Sequence, residues 1–300
     1  MVPSIDLGPA GPRLSRIVAG TWRIGDWSMG VTERRRWIDG CLALGITSFD
    51  HADIYGGYTV EALFGEVLAA DPALRERLQI VGKCGIKLVS PNRPSHAIKS
   101  YDTSRAHVVA SVEQSLRALR TDRLDLLLIH RPDLLMDPAD LADTLAALRR
   151  DGKVLHFGVS NHSPSQLALL NHRLPLATHQ IELSPLQMKA LADGTLDQCL
   201  DLGLPPMIWS PLGGGRLFDP HDAQAARVRA VLEALGRQHG GASIATMAYA
   251  WILRHPSRPL PITGSRRIEA QREAVAALAI DLSPEDWYRV WQASMGQEVL

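Results

Sequence analysis

Short apolar runs alternate with longer segments of helical period from one end of this chain to the other, and no other feature restricts its fold as much. The apolar runs fall at residues 17–20, 47–50, 79–83, 124–130, 155–160, 178–182, 206–209 and 260–263. Each is too short for a stable helix, and most are bounded by Gly, Pro, Asp or Ser, as expected of parallel strands buried on both faces. Between and after them, helical period predicts helices over 32–44, 60–70, 104–119, 138–151, 164–170, 191–202, 223–239, 243–254, 266–276 and 284–293. Thr32 is the expected N-cap of the first, and Gly45 its closing residue, because glycine accepts the left-handed conformation at a helix end. Eight such units in 300 residues predict one domain spanning 1–300, an α/β chain closed into a (β/α)8 TIM barrel; an open, doubly wound sheet is the alternative. The residues before 17 have no helix partner and are expected to form a short hairpin covering the barrel base.

The chain carries 32 basic and 32 acidic residues, which gives no electrostatic case for a nucleic-acid partner. Cys41, Cys84 and Cys199 lie far apart without paired spacing, so neither a disulfide framework nor a structural zinc site is expected. The first fourteen residues lack the apolar core of a signal peptide, and no stretch reaches the ~18 apolar residues of a membrane span. The expectation is a cytoplasmic protein, a monomer or weak homo-oligomer, with no membrane or nucleic-acid partner.

In such barrels the chemistry sits at the C-terminal ends of the strands. Asp50, Lys83 and His130 end the second, third and fourth apolar runs, and Tyr55 follows the second by a few residues. A buried lysine needs a carboxylate, and Asp50, one unit earlier, is the candidate. A lysine cation beside Tyr55 would favour its phenolate and lower its pKa, while a histidine can hydrogen-bond both the phenol and a substrate oxygen. Taken singly, each residue fits a structural ion pair or a rim aromatic equally well; their joint occurrence makes the case.

The segments carrying these residues resemble the aldo-keto reductases. Phe49-Asp50-His51-Ala52-Asp53-Ile54-Tyr55-Gly56, Lys83 and Leu126-Leu127-Leu128-Ile129-His130-Arg131-Pro132 match that family's signatures. So do Phe157-Gly158-Val159-Ser160-Asn161, Gln180-Ile181-Glu182, Trp209-Ser210-Pro211-Leu212-Gly213 and Pro261-Ile262-Thr263-Gly264-Ser265. The resemblance covers nearly the whole chain in order, and residues 51–58 and 213–218 are most similar to the YdhF-like bacterial branch.

The resemblance implies a catalytic tetrad of Asp50, Tyr55, Lys83 and His130, with Tyr55 as general acid when a carbonyl (aldehyde or ketone) is reduced. It also implies an extended nicotinamide dinucleotide bound without a Rossmann fold; Gly20, Thr21 and Trp22 stand where a glycine-rich fingerprint would follow the first strand. On the family pattern Ser160, Asn161 and Gln180 hold the carboxamide, Asp50 lies beside the same ring, and Trp209 stacks on it. The phosphates are expected across Ser210, Pro211, Leu212, Gly213, Gly214 and Arg216, and the segment Gly264, Ser265, Arg266 and Arg267. A 2′-phosphate needs such cations, which favours NADPH over NADH. Ala270 and Ala274 depart from the common pattern at the adenine, with Gln271, Arg272 and Glu273 as the nearest substitutes. The substrate pocket is expected to hold Trp22, Tyr55 and His130, with Ile54, Trp27 and Tyr58 nearby and loops 84–101, 131–136 and 213–222 around it.

Two other readings stay open at this point. A metal-dependent barrel hydrolase would draw ligands from Asp50, His51, Asp53, His130 and His179, although no metal is expected. A non-catalytic partner role, as in potassium-channel β-subunits of the same fold, is the other.

Overall fold

The computed structural model describes residues 1–8 and 11–299. The strands are β1 (Ser4–Asp6), β2 (Arg13–Ser15), β3 (Val18–Gly20), β4 (Ser48–Asp50), β5 (Gln79–Cys84), β6 (Ile86–Lys87), β7 (Ser100–Tyr101), β8 (Leu124–Ile129), β9 (Val154–Ser160), β10 (His179–Glu182), β11 (Met207–Trp209) and β12 (Leu260–Thr263). The helices are α1 (Val31–Ala43), α2 (Val60–Ala70), α3 (Arg105–Leu119), α4 (Pro138–Arg150), α5 (Pro164–Asn171), α6 (Thr195–Asp201), α7 (Ala223–Gln238), α8 (Ile244–Leu253), α9 (Ile268–Ala276) and α10 (Pro284–Met295). Eight strands, β3, β4, β5, β8, β9, β10, β11 and β12, pair in chain order, and β12 returns to β3 to close a parallel barrel. The predicted eight-unit order is therefore what forms, and the open-sheet alternative is excluded.

Side chains alternate along each strand, so one set points into the barrel and the other toward the helices. Val18, Val81, Leu126, Leu128, Met207, Leu260 and Ile262 form the inner cluster. Phe49, Ile80, Leu127, Ile129, Phe157, Val159, Ile181 and Ile208 join the outer one, against the helices. The inward set continues, two residues on, into Lys83, His130 and Trp209. The same period that fills the barrel with aliphatic carbon thus delivers polar side chains to its C-terminal mouth.

The other end is closed by the β1–β2 hairpin, an antiparallel pair registered Ile5 to Leu14. Leu7 and Leu14 are fully buried in the inner cluster, each worth roughly 2 kcal/mol of burial. Ser15 Oγ accepts from the backbone N–H groups of Thr47 and Ser48 and so ties the hairpin to the start of β4.

Three local departures from expectation have simple causes. The N-cap of α1 is Gly30, not Thr32: Glu33 turns back to accept from the Gly30 N–H at 2.9 Å. The helix predicted over 191–202 is a short 3₁₀ turn and then α6, because Gly194 at φ +81° interrupts it. Loop 84–101 contains its own hairpin, β6 with β7, which two-residue strands do not announce in a sequence.

Candidate active site

Asp50 is the last residue of β4, Lys83 lies near the end of β5, and His130 continues the β8 ladder, its N–H donating to Cys84 O at 2.9 Å. Lys83 Nζ donates to Asp50 Oδ1 and Oδ2 at 2.7 Å each, and to the His51 carbonyl at 2.7 Å. Gln180 Nε2, from β10 across the barrel, donates to Asp50 Oδ1 at 2.7 Å. Thr21 holds the same strand end from the other side, its hydroxyl donating to Asp50 O at 2.8 Å. Asp50 is thereby fixed by three elements.

Tyr55 sits on the turn after β4. Its hydroxyl lies 3.5 Å from Asp50 Oδ2, Lys83 Nζ is 4.9 Å from its ring centroid, and the His130 ring meets it edge-on at 6.1 Å. The four predicted catalytic residues therefore converge at one mouth.

Their electrostatics differ from the expectation in one respect. Burial, and then the Asp50 carboxylate, hold the Tyr55 phenol well above its ordinary range; Arg131 is the cation that opposes them. The Lys83 charge does not offset this rise, because it is largely spent on Asp50. Burial lowers the Lys83 pKa, and Asp50 is the largest influence working against that. Burial also pushes His130 well below the usual imidazole value, helped by the positive charges of Lys83, Arg131 and Lys99. A neutral ring carries one proton, and Nδ1 is buried without a partner, which leaves Nε2 facing the cavity.

That cavity has a volume of about 1210 Å³ and runs from the tetrad across the ends of β9 to β12. Of the residues that the sequence assigns to cofactor or substrate, Gly20, Trp22, Asp50, Tyr55, His130, Ser160, Asn161, Gln180, Trp209, Ser210, Pro211, Leu212, Gly214, Gly264 and Ser265 line it. A Cβ on Gly20 would meet Ile262 Cγ2 at 2.9 Å and the Thr263 carbonyl oxygen at 3.0 Å, so a larger residue there would have to push the end of β12 aside. Asn161 and Ser210 both turn through left-handed backbone, at φ +57° and +50°, directly after their strands. Such conformations are uncommon outside glycine, and here they swing two polar residues over the mouth. Trp209 is oriented by its Nε1, which donates to Asn161 Oδ1 at 2.9 Å.

Several predicted contacts lie elsewhere. Arg216 is turned away: its guanidinium is bound to Asp222 at 2.7 and 2.9 Å and also reaches Gln224. Gln271 is fully buried beneath the lining, bonded to Thr263 and to Ser265 O, so it supports the loop from below. Thr21 is likewise buried behind Asp50. Gly213 is displaced from the cavity wall and faces Leu186. Arg266 does not line the cavity, whereas its neighbour Arg267 does.

On the substrate side, Trp27 is a core residue packed edge-on against Trp37 at 5.2 Å. The Tyr58 hydroxyl accepts from Leu88 N–H at 2.8 Å and props the loop leading to β7. Sequence reasoning missed Arg23, which reaches Gly214 O at 3.4 Å, and the N-terminal turn of α8, where Ser243, Ile244 and Ala245 line the wall. The helical period marked that turn as a helix start, but nothing in it announces which end of the barrel it faces.

The ligands imagined for a metal hydrolase are not brought together. His51 packs on the Phe64 ring at 4.5 Å with Nδ1 against Thr21, and His179 Nε2 accepts from His162 N–H. Among the described residues, no group of three or more His, Cys, Asp or Glu side chains is placed to hold a metal ion. No helix among them is long and apolar enough to cross a membrane.

Comparison with known proteins bears on this arrangement. The chain is 49% identical over 301 aligned positions to the oxidoreductase YdhF of Escherichia coli strain K12, with 100% of both chains covered. It is 42% identical to a 6-dehydroglucose reductase of Agrobacterium fabrum, covering 95% of this chain and 96% of that one. The crystal structure of the thermostable aldo-keto reductase Tm1743 with the inhibitor epalrestat superposes with a TM-score of 0.80 at 27% identity, over 97% of this chain and 99% of that one. The Aldo/keto reductase family model matches residues 16–294. With that match and the full-length likeness to YdhF, the chain belongs to the aldo/keto reductase family, in its YdhF-like branch.

Proposed function

We propose that this oxidoreductase reduces aldehydes or ketones with NADPH, with Tyr55 as the proton donor. The observation that carries the reading is the convergence of the Tyr55 hydroxyl, the neutral His130 ring and the Asp50–Lys83 pair at one end of a 1210 Å³ cavity. That volume exceeds the roughly 300–1,000 Å³ of an ordinary small-ligand pocket, as a dinucleotide and a substrate together require.

The lining suits an extended dinucleotide. Ser160, Asn161 and Gln180 offer hydrogen-bonding groups beside the flat face of Trp209. Gly214 and Gly215, at φ +66° and +107°, bring bare backbone to the wall, which favours phosphate. Ser243 caps α8 at the same cavity, and the helix N-terminus adds its partial positive charge there. Ser265 and Arg267 would take the 2′-phosphate; of the two adjacent arginines expected there from sequence, Arg266 stands outside the lining. When bound, the reduced nicotinamide supplies the hydride.

The protein's own contribution is to the oxygen. Negative charge developing there draws the proton from Tyr55 Oη, and a phenol held above its ordinary pKa keeps that proton throughout the neutral range. Lys83, 4.9 Å from the ring, then stabilises the phenolate left behind. His130 Nε2–H orients the oxygen. Trp22, 59% exposed, and Ile54 form an apolar flank for the substrate carbon. Loss of NADPH absorbance on a carbonyl panel tests the reading; no turnover of any member by protein that binds NADPH would overturn it.

A further inference from the structure

The tetrad handles a carbonyl, but it does not account for the charge on the substrate side of the cavity. Arg131 follows His130 at the mouth of the barrel and lines the cavity, half-buried. Its guanidinium lies 5.7 Å from the Trp209 ring centroid, and it acts electrostatically on both Tyr55 and His130. Among the described residues it donates no hydrogen bond and enters no ion pair. The other withdrawn arginines use theirs: Arg16 on Pro259 O, Arg34 on Glu66, Arg75 on Asp125 and Arg123 on Glu76.

A half-buried guanidinium that faces only an aromatic ring has lost part of its hydration without gaining a hydrogen-bonding partner, which is costly unless a ligand supplies one. The local carboxylates do not. Asp50 is bonded to Lys83, and Glu273 is carried by α9, on the Arg267 side. Glu182, at the end of β10, feels Arg131 but forms no salt bridge with it, and burial raises its carboxyl pKa. Asp26 is the remaining lining carboxylate among the described residues, and Lys99, exposed on the loop before β7, lines the cavity without a salt bridge, as do Arg23 and Arg267. Trp22, Ile54, Ile86, Leu88 and Phe218 supply the apolar wall.

Resting on the carbonyl-reductase reading above, we infer that Arg131, assisted by Lys99, selects carbonyl substrates that carry an anionic oxygen group, carboxylate or phosphate, a few bonds from the reacting carbon. The planar fork of Arg131 matches two oxygens of such a group, and the apolar wall accommodates the bonds between. Arg131 is a specificity-determining residue; it takes no part in the proton transfer.

The test compares matched pairs on the full-length protein with NADPH. 4-Carboxybenzaldehyde and 4-formylbenzamide have nearly the same shape and differ in charge; glyceraldehyde 3-phosphate and glyceraldehyde form the phosphate pair. The expected ratio of kcat/KM, anionic over neutral, is about 10 to 100 at low salt, expressed mainly in KM, as for a charge-assisted hydrogen bond. Arg131→Gln brings that ratio toward one, and Arg131→Lys keeps part of it. Preference in one pair only identifies which oxyanion is taken. A ratio at or below one in both pairs, or a ratio unchanged by Arg131→Gln, overturns the inference. Should no aldehyde be reduced, the reductase reading fails by itself. Calorimetric titration with 4-(hydroxymethyl)benzoate and its amide then reads the anion site directly: tighter binding of the benzoate, lost in Arg131→Gln, supports it, and equal binding overturns it.

Discussion

Lys83 Nζ lies 2.7 Å from each carboxylate oxygen of Asp50, and both side chains are almost wholly withdrawn from water. A pair buried this deeply is stable only while both charges are present, because either one alone would be left desolvated without compensation. Lys83→Met is therefore expected to destabilise the fold by about 3–5 kcal/mol. Asp50→Leu combined with Lys83→Met removes both charges and should recover most of that loss. Urea unfolding measures both variants, and neither should turn over substrate. A lone Lys83→Met variant as stable as the parent would mean that the pair contributes nothing to folding.

Tyr55→Phe keeps the ring against His130 and removes only the proton. Turnover should fall by about 10² to 10⁴-fold, the usual worth of a positioned general acid. Cofactor affinity, read by fluorescence titration, should hardly move. Because burial and Asp50 raise the phenol pKa and burial lowers that of His130, neither group titrates near neutrality. Reduction by the parent should then show a flat kcat/KM from about pH 6 to about pH 9. A rate that declines through the middle of that range would place a different group at the proton transfer.

Most of this barrel was legible because its strands are short, buried on both faces and separated by amphipathic helices. Asp50, Lys83 and His130 could be read because a polar residue closing an apolar run is conspicuous. The direction of loop side chains was not legible. Arg216 and Arg267 look equivalent in sequence, yet Asp222 captures the first and nothing among the described residues forms a salt bridge with the second. Gln271 reads as an adenine contact until α9 folds its side chain under the loop after β12. The Tyr55 pKa is illegible for a similar reason: sequence order places Lys83 near the phenol but does not show that Asp50 occupies the lysine and itself raises the phenol pKa.

Glu61, in the first turn of α2, is buried near Asp53, and burial raises its carboxyl pKa to about 7; Ser115, Lys83 and Arg93 oppose that rise. One oxygen of each carboxyl has no partner. The unfolded chain releases the glutamate proton near pH ~4.3, so between there and about 7 the folded state holds more protons. Stability contributed by this group is thus present at low pH and lost as pH rises through that window, by roughly 3–4 kcal/mol. Glu61→Gln cannot ionise, so its Tm relative to the parent should rise between pH 5 and pH 7.5, conditions that bracket most of the window. Parallel Tm curves for the two proteins would show that Glu61 does not titrate on unfolding.

The choice of cofactor is expected to rest on Arg267. It lines the cavity at the N-cap of α9, beside Ser265, and makes no ion pair among the described residues. Its N–H donates to Ser265 Oγ at 3.2 Å, which fixes the turn. Arg266, one residue earlier, stands outside the lining. NADPH differs from NADH only by the 2′-phosphate, and a charge-assisted hydrogen bond to it is worth about 1.5–3 kcal/mol. Arg267→Ala should therefore weaken NADPH binding by roughly 10- to 100-fold and leave NADH nearly unchanged. Arg266→Ala should have little effect on either, apart from a small loss of long-range attraction that salt removes. Isothermal titration of both variants with both cofactors separates these outcomes. Equal weakening of NADPH and NADH in Arg267→Ala would place that side chain on a group the two cofactors share, such as the pyrophosphate, and the preference for NADPH would have to arise elsewhere in the cavity.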